Sequence, residues 1–192
     1  MSVLHWVRHG PTHQKSFVGW RDVPADLSDQ ALVDRVSDYL PADALVVSSD
    51  LQRSVQTASA ICGTRQRLPH MPGLREFHFG AWDGQIFSDI ANSYPVQSRA
   101  YWEKPGDIAP PGGESWHQAA QRVSTAADLL VRQNPDRHII IVAHIGAILT
   151  QVQRAVQCSA YEVLAHKIDN LSITQIDLSQ AEPQVLRINH LP

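Results

Sequence analysis

Two short apolar runs constrain the fold of this chain more than any other feature. Val3-Leu4-His5-Trp6-Val7 stops at Arg8-His9-Gly10, and Ile139-Ile140-Ile141-Val142-Ala143 stops at His144. Runs this short and this apolar suit buried strands. Ala44-Leu45-Val46-Val47 is a third of the same kind. Helical patterns lie between them. Ser28 is a candidate cap for a helix with Leu32, Val33, Val36 and Leu40 on one face, stopped by Pro41. Ser49-Asp50-Leu51-Gln52 reads as a capping box, followed by Leu51, Val55, Ala58 and Ile61 at helical spacing. Residues 85–94 form a weaker helix, with Ile86, Phe87, Ile90 and Tyr94 on one side. Ser115-Trp116-His117-Gln118 is a second capping box, opening a long helix that buries Ala119, Val123, Ala126 and Leu130 and closes at Asn134-Pro135. Ile148, Leu149, Val152 and Val156 mark a helix after His144. In the tail, Leu171-Ser172-Ile173 and Val185-Leu186-Arg187-Ile188 alternate as strands at a sheet edge do. Strands alternating with helices predict an α/β protein: a three-layer α/β/α sandwich around a mainly parallel sheet.

A chain of 192 residues suits one domain and needs neither disulfide nor metal to fold. Residues 104–114 hold Pro105, Gly106, Pro110, Pro111, Gly112 and Gly113 and form a loop. Too little core lies on either side for a boundary, so the expectation is a single domain over 1–192, with a loop and helix excursion near 77–113 over the active site. Sixteen basic against 19 acidic residues leave a net charge of −3. That balance gives no footprint for nucleic acid or an anionic membrane. The longest aliphatic run, 139–143, falls far short of the ~20 residues of a membrane helix, and Arg8 interrupts the first apolar run too early for a signal peptide. Two cysteines, Cys62 and Cys158, make neither a disulfide framework nor a metal site. A soluble, cytoplasmic protein is expected. A homodimer is left open.

The chemistry is expected at the carboxyl ends of the strands, where α/β sheets bind ligands. Arg8 and His9 follow one strand; His144 follows another and precedes a helix whose free N–H groups favour an anion. Arg53 falls in the first turn of a helix, where a cation is disfavoured unless an anion relieves it. Two arginines, two histidines and helix N-termini make a phosphate cradle. Glu76, in Leu74-Arg75-Glu76-Phe77-His78-Phe79-Gly80, is flanked by aromatics that would raise its pKa and suit it to general acid work.

At these residues the sequence resembles the histidine phosphatase superfamily, the phosphoglycerate-mutase-like group. The family's signature stands as Arg8-His9-Gly10 with Thr12 following, and its second arginine motif as residues 49–58. Its acid motif matches residues 74–84, ending Phe79-Gly80-Ala81-Trp82-Asp83-Gly84. Gly112-Gly113-Glu114-Ser115 and Val142-Ala143-His144-Ile145-Gly146 complete the ordered set, which spans nearly the whole chain. The resemblance implies His9 as nucleophile through a phosphohistidine, Glu76 as acid then base, and Arg8, Arg53 and His144 on the phosphoryl oxygens. It implies no metal and no cofactor. Thr12, Lys15 and Ile145 are carried over as phosphate or substrate neighbours.

The chain departs from the family pattern at Pro11, at Lys15 (where Asn is usual), at Ile145 (where Gly is usual), at His78 and at Ala31. None removes a catalytic group. Lys15 either supplies a point charge to the phosphate or points into solvent. Trp20, Trp82 and His78 either line the substrate site or pack. His5, His13, His70, His117, His138, His166 and His190 show no paired ligand spacing and are read as non-catalytic.

The leading reading is a metal-independent phosphomonoesterase acting on a small phosphorylated metabolite. An α-ribazole-5'-phosphate phosphatase, a phosphoglycerate mutase and a non-catalytic phospho-ligand binding domain are the alternatives. A nucleotide-binding domain is disfavoured because no phosphate-cradling Gly-rich loop of known spacing is present.

Overall fold

The computed structural model describes residues 2–178 and 182–192. Five strands form one sheet: β1 (Val3–Arg8), β2 (Leu45–Ser48), β3 (His138–Ala143), β4 (Ile173–Asp177) and β5 (Gln184–His190). Their order is β2-β3-β1-β4-β5. The first three are parallel, and β4 is antiparallel to both of its neighbours. Around the sheet lie α1 (Gln30–Tyr39), α2 (Gln52–Ile61), α3 (Phe87–Ser93), α4 (Pro95–Glu103), α5 (Trp116–Gln133), α6 (Ile145–Val156) and α7 (Ala160–Val163).

The period-two geometry of a strand explains the three layers. Ile139 and Ile141 join Leu4 and Trp6 in one core, under Val123 and Leu130 of α5 and Ile148 of α6. Ile140 and Val142 join Val7 in a second core, under Val33 and Val36 of α1 and Ile61 of α2. Each strand of the parallel part is therefore apolar on both faces, which is why its sequence reads as a run rather than an alternation. Truncating such a fully buried residue, Ile141→Ala for instance, costs about 2–5 kcal/mol.

Strand register sets the position of the site. Arg8 pairs with Ala143 and Ser48 with Val142, so three strands end at one level. The parallel ladder then runs one rung further: His9 N–H donates to Ala143 C=O at 3.0 Å and Ser49 N–H to Val142 C=O at 3.1 Å.

Several local expectations shift. Asp29, not Ser28, caps α1, accepting from Leu32 N–H at 3.1 Å. Ser49 does not cap α2; its hydroxyl turns to His144, and Gln52 N–H donates to Asp22 from a distant loop. The Ser115 capping box forms with both of its reciprocal bonds. The weak helix at 85–94 is shorter, with only Ile90 of its expected face buried and Phe87 58 % exposed. Leu171 cannot begin a strand because its φ is +62°, and β4 starts at Ile173. Only β5 of the two tail strands is an edge, since β4 lies between β1 and β5. Helices α4 and α7 were not expected. No helix among the described residues is long and apolar enough to cross a membrane.

Candidate active site

His9 stands immediately beyond β1 and is 7 % exposed. Its Nδ1 lies 2.7 Å from the carbonyl of Gly10. A carbonyl only accepts, so Nδ1 carries the proton and Nε2 is left unprotonated with its lone pair. Burial, and then the Arg53 guanidinium, push its pKa down to about 3. The ring is therefore neutral at ordinary pH and nucleophilic at Nε2.

Arg53 arrives from the first turn of α2 and is fully buried. Its Nε donates to His9 Nε2 at 3.3 Å, Nη1 to the carbonyl of Arg21 at 3.0 Å and Nη2 to the carbonyl of Gly19 at 2.7 Å. Its hydrogen bonds all go to neutral acceptors while Glu76, Asp22 and Asp83 act on it only through space, so a buried guanidinium of this kind favours an anion directly beside it. Arg8 is similar: Nη1 donates to the carbonyl of Ile168 at 2.6 Å, while its buried Nε has no partner.

His144 is the N-cap of α6 and is fully buried. Its Nε2 meets the hydroxyls of Ser49 at 2.8 Å and Ser54 at 3.2 Å, while Nδ1 has no partner. Its ring centroid lies 5.1 Å from that of His9. Burial, with Arg53 next, drives its pKa well below the usual value, so it too is neutral.

Glu76 is 4 % exposed. Its Oε1 accepts from Phe77 N–H at 2.9 Å and its Oε2 from Gly146 N–H, in the first turn of α6, at 3.2 Å. Those two bonds and the nearby Arg53 and Arg8 favour the carboxylate, but burial outweighs them and raises the pKa. A buried carboxyl with a raised pKa can hold a proton to donate and then take one back.

Arg8, His9 and Glu76 line one cavity of about 330 Å³, together with the expected neighbours Thr12 and Ile145. Arg53 and His144 are packed beside His9 rather than on the cavity surface. Lys15 is exposed and outside the lining, whereas Gln14 and Ser16 on either side of it belong to the lining. Trp82 is fully buried against Tyr101, and Trp20 packs edge-on to His78, so none of these three residues lines the cavity.

The residues that hold the acid loop escaped sequence reasoning. The Glu76 carbonyl accepts from Trp20 Nε1 at 2.7 Å and from Arg122 Nη2, on α5, at 3.1 Å. Arg122 also reaches the carbonyls of Gly73 and Arg75, and it grips Glu114 with two bonds of 2.7 Å. Glu114 in turn accepts from His78 N–H at 3.0 Å. Trp20 lies under the Arg75 guanidinium, 4.8 Å from its ring centroid, and Arg75 forks onto Asp50. The Gly112-Gly113-Glu114-Ser115 motif was the available signal, and its Glu114 is half of the clamp.

A family model described as histidine phosphatase superfamily (branch 1) matches residues 4–191. The chain belongs to that superfamily. Among its relatives, phosphoglycerate mutase-like protein 4 of Arabidopsis thaliana is 29 % identical over 192 residues, covering 95 % of this chain and 82 % of the relative. The glucosyl-3-phosphoglycerate phosphatase of Mycolicibacterium vanbaalenii is 36 % identical over 159 residues, 76 % of this chain and 70 % of that one. In fold, the alpha-ribazole phosphatase from Shigella flexneri superposes with a TM-score of 0.85 at 23 % identity, covering 98 % and 96 % of the two chains. The expected architecture is thus that of histidine phosphatases. The expected enzyme class, a phosphoric monoester hydrolase, is that of the phosphatases in the superfamily.

Proposed function

We propose that the chain is a metal-independent phosphomonoesterase that works through a phosphohistidine at His9. One observation carries the reading: a neutral imidazole, whose unprotonated Nε2 is engaged by the Arg53 guanidinium alone, faces a cavity that also holds a protonatable buried carboxyl and a cationic side chain. In the first step Nε2 attacks phosphorus, the P–N bond forms, and the ester P–O bond breaks as the Glu76 proton passes to the leaving oxygen. In the second, Glu76 as carboxylate takes a proton from water, the resulting hydroxide attacks phosphorus, and the P–N bond breaks to release phosphate and neutral His9.

Arg53 has a defined part in the first step. Its Nε–H donates to the lone pair that must attack, so that hydrogen bond shifts to a phosphoryl oxygen as the P–N bond forms, and Arg53 keeps its proton. Arg8 Nε and His144 Nδ1, both buried and unpartnered, are the other donors available to the phosphoryl group. Positive charge from arginine supplies the stabilisation that a divalent ion gives in other phosphoryl transfers. The segment 77–113 roofs the site, through Phe77, Phe79, Tyr101, Trp102 and Pro105, and we read the chain as one domain. The free thiols of Cys62 and Cys158 fit a reducing, cytoplasmic setting.

The test is hydrolysis of p-nitrophenyl phosphate in EDTA by the wild type and by His9→Ala. Turnover that survives EDTA and vanishes in His9→Ala is expected. Strict dependence on added divalent metal overturns the mechanism. Interconversion of 2- and 3-phosphoglycerate with no phosphate release makes the protein a mutase instead.

A further inference from the structure

Beyond the phosphate end, the cavity carries no charge that could read a charged leaving group. Among the described residues that line it, Arg8 is the only arginine, none is a lysine, and Glu76 is the only carboxylate. Much of the rest of the wall is a continuous aromatic cluster, beside the polar side chains of Thr12, Gln14 and Ser16. Phe17 stacks on Trp102 with centroids 5.9 Å apart and meets Phe79 edge-on at 5.2 Å. Phe77 meets Trp116 at 5.3 Å, and Tyr101 meets Trp102 at 4.9 Å. Leu149 and Leu164 close the apolar surface.

The polar groups of the lining are largely spoken for. Arg21 donates to the Ser16 hydroxyl at 3.0 Å and to Gln14 Oε1 at 3.4 Å. Trp116 Nε1 donates away from the cavity to Gln153 at 2.6 Å. The Tyr101 hydroxyl and Trp102 Nε1 are unpartnered but buried, and both are neutral. A carboxylate or ammonium placed against the aromatic wall would give up water there and meet no opposite charge on the lining, the Arg21 guanidinium lying behind Ser16 and Gln14, and that is costly. An aromatic or aliphatic group would instead gain the free energy of burial, with stacking added.

Resting on the phosphatase reading, we propose that this site selects phosphate monoesters whose leaving group is neutral and apolar, of about the size of an aromatic ring system, over esters of amino acids or hydroxy acids. Phe17, Phe79, Trp102 and Leu164 set that preference.

The experiment compares kcat/KM for phosphate release from 2-phenylethyl phosphate, ethyl phosphate, O-phosphoserine, 3-phosphoglycerate and phosphocholine. All are alkyl esters, so leaving-oxygen basicity does not decide the order. The expected result is an advantage of about tenfold or more for 2-phenylethyl phosphate over each of the others, the usual worth of a filled apolar pocket. Trp102→Ala should cut the 2-phenylethyl to ethyl ratio at least about fivefold; because the ratio is taken within one protein, loss of folded enzyme cancels. Leu164→Lys should raise 3-phosphoglycerate relative to 2-phenylethyl phosphate.

Parity or preference for phosphoserine or 3-phosphoglycerate overturns the proposal, as does a ratio unmoved by Trp102→Ala. Preference for phosphocholine also overturns it, and makes the aromatic wall a cation cage. Inertness toward all five esters and p-nitrophenyl phosphate overturns the phosphatase reading itself.

Discussion

Gly146 N–H donates to Glu76 Oε2 at 3.2 Å, and a Cβ on Gly146 would stand 2.3 Å from Glu76 Oε1. The first turn of α6 thus both holds the acid and leaves it just enough room. Gly146→Ala is expected to push the carboxyl aside. Its signature should copy that of Glu76→Gln: a loss of about 10²–10⁴-fold for alkyl esters, and a milder loss for p-nitrophenyl phosphate, which needs less protonation. In a helix, Gly→Ala alone would add stability. Gly146→Ala enzyme that loses activity equally across leaving groups would disprove the acid's role in the effect.

Arg122 is expected to act through Glu76 without touching substrate. Arg122→Lys keeps the charge but cannot fork onto Glu114 and reach three carbonyls together. It should lower kcat for alkyl esters about tenfold or more while changing p-nitrophenyl phosphate turnover less. A variant with reduced melting temperature and an unchanged leaving-group dependence would show a role in stability alone.

Acid should weaken the fold through histidines that it cannot protonate until low pH. His5 is 3 % exposed; Gln175 donates to its Nδ1, and its Nε2 sits 3.0 Å from His138 Nδ1. Burial, then His138, lowers its pKa to about 4. Between that value and the ordinary ~6.5 the unfolded chain binds the extra proton, so stability falls as pH falls through this window and is level above it. His5 alone should contribute about 2 kcal/mol of loss between pH 7 and 5, and His9 and His144 act in the same direction. Urea denaturation at the two pH values tests this. His5→Gln should show the shallower slope, and parallel slopes would refute the assignment.

Inorganic phosphate or orthovanadate should stabilise the protein with EDTA present. At about a hundred times its dissociation constant, a ligand bound only by the folded state adds about 2.7 kcal/mol. Arg8→Ala should abolish the shift in melting temperature, and a shift requiring divalent metal would contradict a cradle made of arginines and histidines.

The sheet and the polar residues at its carboxyl end were legible because they coincide in sequence. Arg8, His9 and His144 directly follow apolar runs, and a strand's end locates whatever comes next. The clamp on Glu76 was not legible, because Trp20 and Arg122 bind backbone carbonyls, and a carbonyl has no letter in the sequence. The His5–His138 contact needs the parallel register Val3↔His138 before the two rings can be seen as neighbours. Ser28 and Asp29 are both good caps one residue apart, and the first turn chose the carboxylate. Ser49 looked like a cap because its spacing was right, but a buried imidazole nitrogen was the stronger claim on its hydroxyl.

The extra rungs that carry His9 and Ser49 past the strand ends separate two jobs in this protein. His9 is indexed to the parallel ladder, whereas the aromatic canopy of Phe17, Phe79, Tyr101 and Trp102 stands on loops and on α4, with no place in that ladder. Retailoring the canopy for a different ester therefore need not disturb the bond-making machinery beneath it.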